Sequence, residues 1–466
     1  MAISGEYRIE HDLMGAMRVP KDAYYGVQTL RAVENFPISG RRVDDEMIVA
    51  IAQIKKAAAM LNANDGQIPL EVGRAICQAC DEIIDGKLHD QFLVDSIQGG
   101  AGTSMNMNAN EVIANRAIEI MGGEKGDYTI VHPNDHVNCG QSTNDVYPSC
   151  GKMALIKKID RLMEALMRLT DTLNKKAQEF DSVVKMGRTQ LQDAVPIRLG
   201  QEFQAYSVAI RRDVRRIGQA AHEVRELNLG GTAVGTGVNA SAAYIENIVP
   251  LVAELTDEML MKSRNLVDGT QNLDVYSTLS GALKTCAVNL SKISNDLRLM
   301  SSGPRTGLGE ITLPTRQNGS SIMPGKVNPV IPEVMNQIAF NVIGNDTTIT
   351  MATEGGQLEL NAFEPIIFYK LFESLHTLTE GVNTLRVNCI RGIVANKEHC
   401  RKLVERSVGI VTTLCPIIGY TEACHLAKEA IETGASVREL VLEKGLIPED
   451  QLDELMDPYK MTLQPR

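Results

Sequence analysis

The sequence contains no tryptophan, and aromatic residues make up only 4% of its 466 positions, so whatever core it builds is filled by aliphatic side chains. It also lacks any run of about eighteen apolar residues, which excludes an ordinary membrane-spanning helix. The amino-terminal stretch has no charged region followed by an apolar run and a cleavage site, so a soluble, non-secreted, cytoplasmic protein is expected. Positive charge is in short supply: 47 Lys and Arg against 58 Asp and Glu leave a formal charge of −11. General binding to nucleic acid or to acidic membrane is therefore not expected, although a local basic pocket can still hold an anion. The nine cysteines are odd in number and scattered, which fits reduced cytosolic thiols and not a disulfide framework. Cys77 and Cys80 form the one CxxC spacing; with no second pair to complete a zinc site, they read as buried core thiols on a helix. No internal repeat or low-complexity tract is evident.

What the chain has in quantity is apolar residues, 44% of the total, over a length beyond what one core usually supports, so two or three domains are expected. Residues 1–143 read as a mixed first domain with short helices over 48–61 and 71–84, separated by the turn at 62–66 and closed by Gly86. From about residue 150 the character changes. Leu155, Ile159, Leu162, Leu166, Leu169 and Leu173 step by fours and threes, as do Phe203, Tyr206 and Ile210. The same stepping returns at Leu279, Leu283, Cys286, Leu290, Ile293, Leu297 and Met300, and at Leu371, Leu375, Leu378, Val382, Leu385 and Cys389. These are helical seams. Four long helices with narrow seams and few aromatics predict a mainly α fold whose central domain, residues 144–398, is a near-parallel bundle packed by aliphatic knobs. Apolar positions off the seams, such as Ile156 and Met163, predict a second buried face and hence bundle-to-bundle oligomerisation. Short helices over 399–466, with a cap at Ser436 and a break at Pro448, make a small C-terminal domain.

Polar segments interrupt these helices. In GSSIMPGKVNP, residues 319–329, Gly319 and Gly325 free the backbone while Pro324 and Pro329 fix it, which describes a mobile loop with stiff points. It carries two hydroxyls, an ammonium and an amide. GGAGTS, residues 99–104, is a glycine-rich turn entering a helix over 105–121, where unpaired N–H groups bind anions well. It matches neither the phosphate-binding loop nor the dinucleotide fingerprint. In HPNDHVNCGQSTND, residues 132–145, a metal would take His132, His136 and Cys139, but zinc usually needs a fourth ligand. Ser142, Thr143 and Asn144 instead offer several neutral donors to a carboxylate. KMGRTQLQDAVP at 185–196 and GGTAVGTG at 230–237 are further polar turns at helix ends. Successive turns of an antiparallel bundle fall at alternate ends, so one subunit struggles to gather them, whereas subunits packed side by side can.

GSSIMPGKVNP, HPNDHVNCGQSTND, GGAGTSMNMNANEV and KMGRTQLQDAVP together resemble the fumarase/aspartase superfamily, over nearly the whole chain. The resemblance implies a three-domain fold whose central bundles assemble into a tetrameric core of roughly 20 helices. Thr143 stands where the water-adding members typically carry serine and Gln190 where they carry histidine, though some ammonia-releasing members also have histidine there. Asn328-Pro329 is followed by VIPEVMNQ and not by a Thr-Gln-Cys-Glu type sequence. The activity implied is reversible deamination of L-aspartate to fumarate and ammonia, an anti-elimination through an enediolate (aci-carboxylate); hydration of fumarate to L-malate is the alternative. The same resemblance makes Ser320 the catalytic base, acting as an alkoxide. It assigns Thr103, Ser142, Thr143 and the N–H groups around Ser320-Ser321 to the β-carboxylate, and Lys326 and Asn328 to the α-carboxylate. Thr189, Asn144 and Gln190 would orient the amino group, with each site shared by three subunits of a homotetramer. No metal, flavin or pyridoxal is implied; activation by a divalent metal is not legible in the sequence.

Overall fold

The computed structural model describes residues 6–463, so the first five positions of the amino-terminal reading and the last three of the C-terminal domain lie outside the described residues. A hairpin of β1 (Tyr7–Asp12) and β2 (Gly15–Pro20) leads into helices α1 (Val27–Asn35), α2 (Asp45–Asn64), α3 (Leu70–Ile84), α4 (Thr103–Ile120) and α5 (Thr143–Glu179). Next come β3 (Val184–Thr189), β4 (Gln192–Arg198), α6 (Leu199–Val224), β5 (Glu226–Leu227), α7 (Ala242–Thr256), β6 (Met261–Lys262), α8 (Leu266–Gln271) and α9 (Asp274–Met300). The chain continues through β7 (Ile311–Thr312), α10 (Val330–Glu354), α11 (Glu364–Asn388), β8 (Val394–Ala395), α12 (Lys397–Arg406) and small C-terminal helices. Among the described residues every sheet is a single pair of strands, so the fold is mainly α.

The expected seams are the buried faces of α5, α6, α9 and α11, from Leu155 through Cys389. Ile156, off the seam of α5, is buried as well. A fifth long helix, α10, does not show in the sequence as a narrow stripe because it is apolar on two faces. Met335, Ala339, Val342 and Ile349 are buried, whereas Val334, Phe340, Ile343 and Met351 are exposed. In α2 the Asp44 side chain accepts from Glu46 N, which starts the helix ahead of its apolar run.

The chain divides into two compact units. The first takes residues up to Met163, Arg216–Lys284 and Asn341–Thr377; the second takes Glu164–Arg215, Thr285–Phe340 and residues from Leu378 onward. Each of the five long helices contributes residues to both. The scarce aromatics are concentrated. In the first unit Phe368 stands edge-on to Tyr147 at 5.6 Å and to Tyr276 at 5.2 Å. Gly151 makes this approach of α5 and α11 feasible, since a Cβ there would lie 2.1 Å from the Phe368 ring. In the second unit Phe203 stands edge-on to Phe180 at 5.2 Å and to Tyr206 at 5.7 Å. The C-terminal helices form a core of their own around Leu414, Leu426, Leu440 and Leu452, joined by Met186 of β3. Ser436 caps its helix in a reciprocal pair with Glu439, as its position before an apolar run predicts.

Candidate active site

In the first unit the start of α4 lies against the start of α5. Gly100, Ala101 and Gly102 all have positive φ, and a Cβ on Gly102 would fall 2.3 Å from the Tyr147 ring, so only glycine lets the two helix ends meet. Gln98 Oε1 accepts from Met105 N and Gly100 O from Thr103 N, so part of the anion-binding capacity expected of this turn is already used. Thr103 is exposed and donates its hydroxyl to Gly100 O at 2.6 Å. One turn along α4, Asn106 Nδ2 donates to Thr143 Oγ1 at 3.1 Å, which fixes that hydroxyl as an acceptor inward and leaves its proton to point elsewhere. Ser142 Oγ accepts from Asn144 N at 3.2 Å, and Asn144 Nδ2 donates to Ala233 O at 2.8 Å. Ser142, Thr143 and Asn144 thus stand together, half-buried, with α4 beside them.

Three buried residues that the sequence reading missed, Asp145, Lys55 and Asn106, hold this cluster. Asp145 Oδ1 accepts from Ser142 N, and its Oδ2 accepts from Gly230 N and Thr232 N, each at 3.0 Å. The GGTAVGTG turn is therefore wrapped around a carboxylate at the base of the donor cluster. Burial pushes the Asp145 carboxyl up to about 6, against the pull of those three N–H groups. Lys55, in the middle of α2 and fully buried, donates from Nζ to Asn138 Oδ1 at 2.8 Å, and Asn138 Oδ1 also accepts from Asn106 Nδ2. A chain of hydrogen bonds runs from the Lys55 ammonium through Asn138 and Asn106 to Thr143. The signal was present: Ile48, Ile51, Lys55, Ala58 and Asn62 share one helical face, and a lysine on an otherwise buried stripe needs a polar partner.

The second unit carries the other expected residues. KMGRTQLQDAVP is a β-hairpin, not merely a turn, and its two-residue tip places Gln190 at φ 57° and Leu191 at φ 62°. That is the left-handed geometry which usually calls for Asn-Gly, so the tip is strained. Thr189 and Gln190 are both exposed there. In the loop at 319–329, Ser320 N donates to Lys326 O at 3.1 Å, closing the loop on itself. A Cβ on Gly319 would lie 1.3 Å from that same oxygen, so the closure demands glycine. Ser320 Oγ accepts from Ile322 N at 3.2 Å and from Met323 N at 3.0 Å. Two backbone dipoles therefore aim at one half-buried hydroxyl oxygen. Ser321 and Lys326 are exposed and Asn328 is half-buried. With the Ser320 N–H held by Lys326 O, the N–H groups of this loop are not all turned outward.

The histidines of the 132–145 segment are engaged locally. His132 Nδ1 accepts from Asn134 N and Asp135 N, and His136 Nδ1 accepts from His132 N at 2.9 Å. Burial pushes the Cys77 thiol up to about 11 and Cys80 well above the usual range, the behaviour of core thiols. No helix among the described residues is long and apolar enough to cross a membrane.

The second unit thus carries a short loop with a polarised serine and a hairpin tip, and the first unit a hydroxyl cluster at a helix start. The model for the lyase family matches residues 15–344, and that for the fumarase C C-terminus matches residues 410–463. The chain belongs to the fumarase/aspartase superfamily. Among its curated relatives, aspartate ammonia-lyase of Bacillus subtilis strain 168 is 54% identical, covering 98% of this chain and 96% of that protein. Aspartate ammonia-lyase of Escherichia coli K12 is 52% identical over 97% of this chain and 95% of its own length. Of solved structures, fumarate lyase:delta crystallin from Brucella melitensis bound to cobalt superposes with a TM-score of 0.96 at 50% identity, covering 98% of this chain and 100% of that one. Recombinant class II fumarase from Schistosoma mansoni gives 0.95 at 35% identity, covering 98% and 99%.

Proposed function

We propose that the protein is a carbon–nitrogen lyase that removes ammonia reversibly from L-aspartate to give fumarate. The observation that carries this is the Ser320 hydroxyl oxygen accepting from two backbone N–H groups of its own loop. A proton on the carbon beside the β-carboxylate is a very weak acid, and a serine hydroxyl is normally too poor a base precursor to take it. Two N–H dipoles aimed at Oγ stabilise the alkoxide over the alcohol and so bring its basicity within reach.

Ser320 Oγ takes the proton, and the C–H electron pair moves into the carboxyl group, which becomes an enediolate with two negative charges. Thr103, Ser142, Thr143 and Ser321 donate to those oxygens; one well-placed donor contributes about 3 to 4 kcal/mol by analogy with an oxyanion hole. The enediolate then collapses, the C–N bond on the opposite face breaks, and the amine leaves as ammonia. Lys326 and Asn328 hold the α-carboxylate, and Thr189, Asn144 and Gln190 orient the amino group. This chemistry calls for no cofactor and no metal.

The relatives named aspartate ammonia-lyase at about half identity over nearly full length support the reading. The three-part division at residues 143 and 398, a homotetramer with each site built from three subunits, and a cytoplasmic place belong to the same proposal. The test is fumarate formation followed by ultraviolet absorbance, with L-aspartate and L-malate compared on one preparation. Release from L-aspartate alone is expected; release chiefly from L-malate would make the protein a fumarate hydratase like its Schistosoma mansoni neighbour.

A further inference from the structure

Glu310 is a fully buried charge of the second unit, at 0% exposure, and the reaction described above gives it no part. Its carboxylate is divided between two cations of β3: Oε1 accepts from Arg188 Nη1 at 2.7 Å and Oε2 lies 3.0 Å from Lys185 Nζ. Lys185 is also paired to Glu202 of α6 at 2.8 Å. Although burial opposes its charge, Glu202 and Glu310 hold the Lys185 ammonium above the usual lysine range. The backbone of Glu310 is fixed as firmly. Its N–H donates to Met300 O at the end of α9, and its carbonyl accepts from Asn396 N, each at 2.9 Å. Asn396 Nδ2 donates to Gly309 O, and His399 Nε2 lies 2.8 Å from Leu308 O. The next residue, Ile311, pairs with Ala395 in the β7–β8 ladder, and the chain then runs on to Gly319 and Ser320.

One carboxylate therefore joins the strand that ends in Thr189 to the segment that leads into the Ser320 loop. Arg188 is the residue immediately before Thr189, so the grip falls next to the strained tip. We propose that Glu310 is a positioning residue: by holding Arg188 and Lys185 it fixes the tip of the hairpin where Thr189 and Gln190 receive the substrate's amino group. This rests on the aspartate reading, since it assigns those two residues to the amine.

Glu310→Gln tests it. The amide keeps volume and one acceptor but withdraws the charge that the buried Lys185 and the half-buried Arg188 share. KM for L-aspartate should rise roughly ten-fold, while Ki for succinate, a dicarboxylate of the same length without an amine, stays within about two-fold. A merely structural role would move both constants together or neither, and either result overturns the proposal. Should Glu310→Gln fail to fold, Arg188→Gln loosens the same contact from the half-buried side and must give the same split between KM and Ki; its absence is equally fatal. The unaltered enzyme is run in parallel. If it releases no fumarate from L-aspartate, the functional reading has failed; if it does and the variant matches it, only the role of Glu310 has.

Discussion

At the scale of residues, individual charges and dipoles set the chemistry and the stability. Ser320 Oγ faces two N–H dipoles, and its removal leaves the carboxylate donors of the first unit untouched. Ser320→Ala should therefore lower turnover by roughly a hundred- to ten-thousand-fold, the range of a lost general base, with dicarboxylate binding by calorimetry retained. Near-normal fumarate release by the variant would remove Ser320 from the mechanism. Lys55 presents the opposite situation, a cation kept out of water by the core. Burial pushes its ammonium from 10.5 down to about 7. Between those values the unfolded chain holds a proton that the folded chain has released. Stability therefore rises with pH across this window by at most about 1.4 kcal/mol per unit, and the penalty is fully present below pH 7. In Lys55→Met this slope is gone. The difference in thermal midpoint, unaltered protein minus variant, should grow in favour of the unaltered protein from pH 7 to pH 10. A difference that stays flat would mean that Lys55 titrates in the fold as it does in water.

Among the elements, the β3–β4 hairpin stores strain at its tip, where Leu191 holds φ 62° while leaving 69% of its surface exposed. A left-handed conformation costs a branched residue roughly 1 to 2 kcal/mol, part of which glycine returns to the unfolded chain as entropy. Leu191→Gly should thus stabilise the protein by about 0.5 to 1 kcal/mol in denaturant titration, with KM for L-aspartate unchanged because Gln190 keeps its side chain. A rise in KM would show that the Leu191 side chain itself meets substrate. This hairpin is also where sequence reading stopped short. The seams of α5, α9 and α11 are legible because one apolar residue every three or four positions has only one helical solution. Strands of six and seven residues carrying Lys185, Gly187, Arg188 and a proline show no alternation, so the same reasoning yields only a polar turn. The site divides in the same way. Its hydroxyls and amides lie in segments dense enough in polar side chains to be noticed, whereas Lys55, Asp145 and Glu310 are single charges whose partners lie far away in sequence. Such pairings exist only once the chain has folded.

For the whole molecule the question is how parts carried by different segments come to serve one substrate. Within one chain Thr143 belongs to the first compact unit, and Thr189 and Ser320 to the second. The exposed face of α10, with Phe340 at 63% and Met351 at 69%, is an apolar surface of the kind that a second bundle covers. If the chain assembles as a tetramer and each site draws the Thr143 cluster, the hairpin tip and the Ser320 loop from three different subunits, defects in two of these parts complement one another. Thr143→Val and Ser320→Ala homotetramers should each be nearly inactive. Denatured together in equal amounts and refolded, they should assemble sites at random, and about a quarter of these combine an intact Thr143 with an intact Ser320, one half times one half. Activity should therefore return to roughly a quarter of that of the unaltered protein. Each site built within one subunit gives a different number, because every chain then carries one defect and no arrangement of chains repairs it. Mixed tetramers verified by mass that remain as inactive as their parents would place the Thr143 and Ser320 of each site on a single chain.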